Sequence, residues 1–220
     1  MITVFDFDGT LVPERNNLYW HLVRALPDRR WRTLKSAAFA QTLAGLIPLA
    51  AAGIADHSRM MKGILLAVYS GLPVDMVEEA SQRIVPIIEE MLYPEMRDVL
   101  EQHRNDSCYM VSSNTMPIVG AFCRHWGMEC VATRLHTSGD RYTGLIEGEL
   151  TRAYEKVARL REAGVDPKQV TMYGNSMDDE ALLLASGSPV LVNADSKLLA
   201  QRRLAAAPRI DVTTRKEKGA

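Results

Sequence analysis

Five short apolar runs constrain the fold more than anything else in the chain: ITVF at 2–5, CYMVSS at 108–113, CVATR at 130–134, VTMYGNS at 170–176 and PVLVN at 189–193. Runs of this length, bounded by polar or glycine positions, suit strands buried on both faces, as in a parallel sheet covered by helices. Helical patterns lie between the later runs. Pro94 can open a helix with Met96, Val99 and Leu100 on its apolar side. Ile118, Val119, Phe122 and Trp126 recur at helical spacing before Gly127, as do Tyr154, Val157 and Leu160 before Gly164. Ser176 and Asp179, three apart at the head of DDEALLLAS, read as a capping box. Alternating strands and helices predict a doubly wound α/β fold with a mostly parallel sheet. Such folds hold ligands outside the carboxyl ends of their strands.

Residues 15–92 interrupt the alternation. They carry helical composition and no strand pattern, which predicts an all-helical domain inserted into an α/β core made of 1–14 and 93–220. Within the insert, residues 36–55 contain no charge, yet Gln41, Thr42 and Pro48 make a membrane span a poor reading. Pro48 lacks a backbone donor, so a broken pair of apolar helices is expected there. YTGLIEGEL at 142–150 predicts a small hairpin, and the polar, basic end of the chain is expected to be loosely held. With 26 basic and 27 acidic residues, no global positive field draws the chain to nucleic acid. An odd number of cysteines without CxxC spacing favours reduced thiols. The opening residues show no secretory pattern, so a cytoplasmic setting is expected.

The chemistry concentrates after the first run, at Asp6-Phe7-Asp8-Gly9-Thr10. Two carboxylates two residues apart, at the end of a buried strand, raise each other's pKa unless a cation or a hydrogen-bond network holds them.

DFDGTLV resembles the nucleophile motif of the haloacid-dehalogenase-like (HAD) phosphohydrolases, and further matches follow in order. Ser112 in MVSSN resembles the family's serine or threonine at the second core strand, Lys156 its phosphate-binding lysine, and GNSMDD at 174–179 its acidic motif. LYPEM, GDRYTG and VLVNADSKL are similar to the phosphoserine-phosphatase-like branch, whose helical cap is inserted between the first and second motifs. The resemblance implies a Rossmann-like core, Asp6 as nucleophile and Asp8 as general acid and base. It implies a phosphate cradle of Phe7, Gly9, Thr10, Ser112, Ser113 and Lys156, and Mg²⁺ held by Asp6, Asp8, Asn175, Asp178 and Asp179. The family usually has aspartate where this chain has Asn175. Asp178 is the expected compensation for that missing charge.

The implied activity is Mg²⁺-dependent hydrolysis of a small-molecule or lipid-like phosphomonoester through an aspartyl phosphate. A phosphotransferase or phosphomutase with the same chemistry, or a catalytically weakened binding module, are the alternatives. Phosphoserine itself is disfavoured, because Arg15 and Leu65 stand where that branch has an acid and a cap arginine. The apolar run, preceded by Arg24, Arg29, Arg30, Trp31, Arg32 and Lys35, raises contact with an anionic membrane, which is set below simple packing within the cap.

Overall fold

The computed structural model describes residues 2–213; the last part of the tail expected to be loosely held lies outside the described residues. The chain begins with β1 (Ile2–Phe5), α1 (Leu18–Ala25), α2 (Arg29–Ala51), α3 (His57–Tyr69), α4 (Val74–Met91) and α5 (Pro94–Gln102). It continues with β2 (Ser107–Thr115), α6 (Met116–Trp126), β3 (Glu129–Thr133), β4 (Leu135–Ser138), β5 (Arg141–Ile146) and α7 (Tyr154–Glu162). It closes with β6 (Val170–Gly174), α8 (Glu180–Ala185), β7 (Ser188–Val192), α9 (Ser196–Leu199) and β8 (Arg209–Ile210).

Two compact units result. The first comprises the residues up to Asn16, Pro86–Ala132, and those from Thr151 onward. Its sheet has the order β3-β2-β1-β6-β7-β8, and β1 pairs in parallel with both β2 and β6. The strand order therefore reverses direction at β1, which makes its carboxyl end the switch point of a doubly wound sheet. Val4, Val111, Val157, Leu160, Met172, Leu182, Leu183 and Leu191 form one core cluster between strands and helices. Each fully buried aliphatic side chain of this kind contributes about 1.5–3 kcal/mol. The face of α7 differs from expectation: Val157 and Leu160 are buried, but Tyr154 is 84% exposed, and the other buried side chains are Lys156 and Arg159. β8 was not anticipated; it forms because the Leu191 and Asn193 amides donate to the Pro208 and Ile210 carbonyls.

The second unit comprises Asn17–Val85 and Thr133–Leu150. The division falls inside α4, and the hairpin groups with the helices instead of with 93–220. The reason is local. Gly71 donates to the Tyr142 carbonyl and Tyr142 to that of Leu72, and a side chain on Gly144 would begin 2.8 Å from the Leu66 Cα. The hairpin itself lies earlier than expected, over β4 and β5 with its turn at Gly139-Asp140. Pro48 does not break α2, which runs on to Ala51. Pro48 forfeits one intrahelical bond and its ring crowds the carbonyl four residues back, and the helix ends within a turn of it. The break between α2 and α3 comes instead at residues 52–56, before Asp56 caps α3 by accepting from the Arg59 amide at 2.8 Å. Leu34, Ile47, Leu49 and Ile54 remain 41–60% exposed on this helix pair. By length and composition, α2 is also long and apolar enough to cross a membrane.

Candidate active site

The parallel strands bring three loops together at their carboxyl ends, within the first unit. Asp6 follows β1 directly, Ser112 to Thr115 end β2, and Asn175 follows β6. Asp6 is tied to its neighbour strand by donating its amide to the Tyr173 carbonyl at 2.9 Å. The loop after it folds on itself: Leu11 donates to the Phe7 carbonyl at 2.9 Å and Gly9 to that of Val12 at 2.6 Å. Gly9 takes φ +86, a left-handed value that its lack of a Cβ permits.

Asp6 and Lys156 meet here from opposite ends of the sequence. Lys156 Nζ donates to Asp6 Oδ1 at 2.6 Å and to Asp179 Oδ1 at 2.5 Å. All three side chains are nearly inaccessible. Asp179 Oδ2 accepts from the amides of Asn175 at 3.0 Å and Ser176 at 3.2 Å. This is the reach-back half of the expected capping box; α8 starts only at Glu180, so the serine half does not form. Thr10 Oγ1 lies 3.0 Å from Asp6 Oδ2 and 3.4 Å from Asn175 Oδ1. A hydroxyl has one proton, so it serves one of these oxygens at a time.

Asp8 is held separately, by Asn16 Nδ2 at 2.5 Å and Asn114 Nδ2 at 3.4 Å. Neither asparagine stands out in the sequence. Asn114 shares a strand face with Ser112, two residues earlier, and that period is the only signal that could have found it.

Electrostatics separate the two aspartates. Burial pushes Asp6 up to about 7, with the charge of Asp179 adding to the effect and Lys156 opposing it. Burial also pushes Asp8 up to about 6, against the hydrogen bonds from Asn16 and Asn114. For Lys156, burial disfavours the charged form, but the Asp179 and Asp6 carboxylates outweigh it and hold the ammonium protonated. Removing either partner of such a buried pair leaves an uncompensated charge.

The remaining expected residues divide. The Phe7 side chain is core, packed on Phe122 at 5.7 Å between centroids, so only its backbone can serve an anion. The Gly9 amide is already committed to Val12, which makes its role steric. Ser112 is fully buried, and its Oγ accepts from the Asn114 amide at 3.0 Å; Ser113 lies on the opposite strand face and is half-buried. Asp178 turns to Arg152, at 2.7 Å, and its carbonyl accepts from the Ala153 amide. Ala153 has φ +47, a costly value for a residue with a Cβ, directly before the helix that carries Lys156. Asp178 thus clasps the strained entry to α7. The acid beside Asn175 is Glu14, whose Oε1 accepts from Asn175 Nδ2 at 3.3 Å.

A divalent cation suits this donor set. Asp6 and Asp8 are both driven towards protonation by burial, Asp179 shares Lys156 with Asp6, and Asp6 Oδ2 and Asn175 Oδ1 converge on one hydroxyl. Hard oxygen ligands and surplus negative charge favour Mg²⁺ over softer metals. The amide oxygen of Asn175, 3.4 Å from the Thr10 hydroxyl, offers a further hard donor beside these carboxylates.

The haloacid dehalogenase-like hydrolase family matches residues 3–184. Among curated proteins none matches the sequence. A protein of unknown function from Bordetella pertussis Tohama I superposes with a TM-score of 0.78 at 22% identity, over 96% of this chain and 97% of that one. A phosphoserine phosphohydrolase-like protein from Francisella tularensis subsp. tularensis SCHU S4 gives 0.60 at 14% identity, covering 99% and 98%. A substrate-bound phosphoserine phosphatase gives 0.58 at 18% identity, covering 95% and 91%. At these identities the likeness establishes the shared fold.

Proposed function

The chain belongs to the haloacid dehalogenase-like hydrolase family, and from that premise we propose that it is a Mg²⁺-dependent phosphomonoesterase with Asp6 as nucleophile and Asp8 as general acid and base. The observation that carries the reading is the pairing of Lys156 with both Asp6 and Asp179, beside an Asp8 held by two amides. A phosphate dianion entering this site meets the lysine ammonium, while Thr10 orients the Asp6 carboxylate. Asp6, Asp8 and Asn175 would hold Mg²⁺, which when bound would supply the positive charge that lets an anionic nucleophile approach an anionic ester.

In the first step an Asp6 oxygen attacks phosphorus and the bond from phosphorus to the leaving oxygen breaks, with Asp8 giving its proton to that leaving oxygen so that it departs as the alcohol. In the second step Asp8 takes a proton from water, the water oxygen attacks the phosphoryl group, and phosphate leaves with Asp6 restored. Dividing one difficult displacement into two is the gain of covalent catalysis. An Asp8 with pKa about 6 can hold the proton before the first step and accept one in the second near neutral pH. Asp179 keeps Lys156 in place and charged. Ser112 braces the Asn114 turn that reaches Asp8.

Release of phosphate from p-nitrophenyl phosphate, with and without Mg²⁺ and a chelator, tests the reading. Cation-dependent turnover supports it; no turnover on a broad phosphate panel contradicts it and favours a binding module. Transfer of the phosphoryl group to an added alcohol in preference to water would instead mark a phosphotransferase.

One observation favours a lipid-like leaving group. Ile47, Leu49 and Ile54 are exposed at the α2–α3 turn of the helical unit, and no charged residue falls between 36 and 55. Exposed apolar residues of this kind often mark an interaction surface. Sedimentation with anionic vesicles, and rates on lysophosphatidate against phosphoserine, test this reading. Preference for the small polar phosphate without vesicle binding contradicts it.

A further inference from the structure

An amide has two unlike ends of nearly equal size, and only its oxygen can ligate a cation. Something must therefore decide which end of Asn175 faces the acidic cluster. In this chain the decision is visible. Asn175 Nδ2 donates to Glu14 Oε1 at 3.3 Å, and Oδ1 lies 3.4 Å from Thr10 Oγ1, the hydroxyl that also contacts Asp6. A carboxylate only accepts, so Glu14 selects the NH₂ end and turns the oxygen inward. The backbone leaves room for the contact only because residue 9 is glycine. A Cβ there would stand 2.1 Å from Asn175 Nδ2 and 2.9 Å from Glu14 Cγ.

We infer that Glu14 is a positioning residue that locks the Asn175 amide with its oxygen on the cation side, so that residues 14 and 175 act as one pair. The inference rests on the cation-dependent phosphatase reading above. It has a consequence for substitution at 175. Aspartate there would add a charged ligand, but it would also set a second carboxylate against Glu14. The sequence alone would credit Asn175→Asp with tighter Mg²⁺ binding; with Glu14 in place that gain is cancelled, and it returns when residue 14 can donate.

Calorimetric Mg²⁺ titration of the folded chain tests the pair without relying on turnover. Partners that orient a metal ligand typically change affinity 10- to 100-fold, so Glu14→Ala should weaken Mg²⁺ binding by about tenfold. Asn175→Asp alone should bind no more tightly than the wild type. The reversed pair, Glu14→Gln with Asn175→Asp, should bind at least about tenfold more tightly than Asn175→Asp alone, because the glutamine amide now donates to the aspartate. Glu14 is exposed, so Glu14→Ala should keep its metal-free unfolding temperature. Unchanged affinity in Glu14→Ala, together with an Asn175→Asp effect that ignores residue 14, would overturn the inference and leave the phosphatase reading standing. A wild-type chain that binds no Mg²⁺ would overturn both.

Discussion

At the carboxyl end of β1, Asp6, Lys156 and Asp179 are withdrawn almost completely from water, whereas on α2 and the turn into α3, Leu34, Ile47, Leu49 and Ile54 are left in it. Each region departs from the usual partition of polar and apolar side chains, and in opposite directions. The buried charges have named partners at 2.5–2.6 Å, and the hydrogen bonds around them reach several loops of one unit. Burial without partners would cost several kcal/mol per charge, so the pairing identifies a built site. The exposed apolar residues have no such geometry, and their meaning depends on what meets them. The first region therefore supports a reaction, the second only a surface.

The largest expected effect bears on the first region. Asp6→Asn keeps the size of the side chain and one acceptor for Lys156 but removes the nucleophile, and should lower kcat by about 10³-fold or more. Steady-state rates with Mg²⁺ decide it, and near-wild-type turnover would detach the buried cluster from catalysis.

Lys156→Met asks whether the cluster is held by charge. It leaves Asp6 and Asp179 facing each other without their cation, and should destabilise the protein by about 3–5 kcal/mol at pH 8. The loss should shrink at pH 5, where protonation relieves the repulsion. Urea unfolding at the two values checks both statements.

Proton linkage gives a smaller effect. Asp6 and Asp8 are raised from 3.8 to about 7 and about 6 in the folded chain. The folded state thus holds these protons more tightly than the unfolded state, and the stabilisation this gives is present below about pH 4 and lost as pH rises through 6 and 7. Mg²⁺ competes with protons for the Asp6 carboxylate, so it should raise the unfolding temperature more at pH 8 than at pH 5. Equal shifts at both values would contradict the placement of the cation beside these carboxylates.

On the second region the expected change in stability is the smallest. Ile47→Ser and Ile54→Ser replace exposed side chains and should alter unfolding free energy by no more than about 0.5 kcal/mol. If this surface meets lipid, the same pair of changes should abolish vesicle binding. A large loss of stability would show instead that these residues are core.

The legible parts of the molecule were those written locally. Short apolar runs mark five of the six strands of the larger sheet, and Asp6, Lys156 and Asp179, singled out through the family resemblance, meet in one hydrogen-bonded cluster. What escaped depended on distant contacts. Asn114 reaches Asp8 across 106 positions and Glu14 reaches Asn175 across 161, and no local pattern encodes either. Asp178, the expected compensation for Asn175, pairs with Arg152 across 26 positions, a contact that no local pattern encodes. Tyr154 fits a helical apolar period and is exposed, because the inward position on that turn belongs to a lysine. Pro48 lacks a donor and crowds the preceding turn, yet α2 runs three residues past it before ending.

The central claim is that Asp6 carries the phosphoryl group. Acid quenching of the Mg²⁺-loaded protein during turnover of p-nitrophenyl phosphate, followed by peptide mass spectrometry, reads this directly. The account predicts one phosphoryl group on the peptide containing Asp6, absent in Asp6→Asn and lost on treatment with hydroxylamine, which cleaves acyl phosphates. Turnover with no label at Asp6, or a label on another residue, would contradict it.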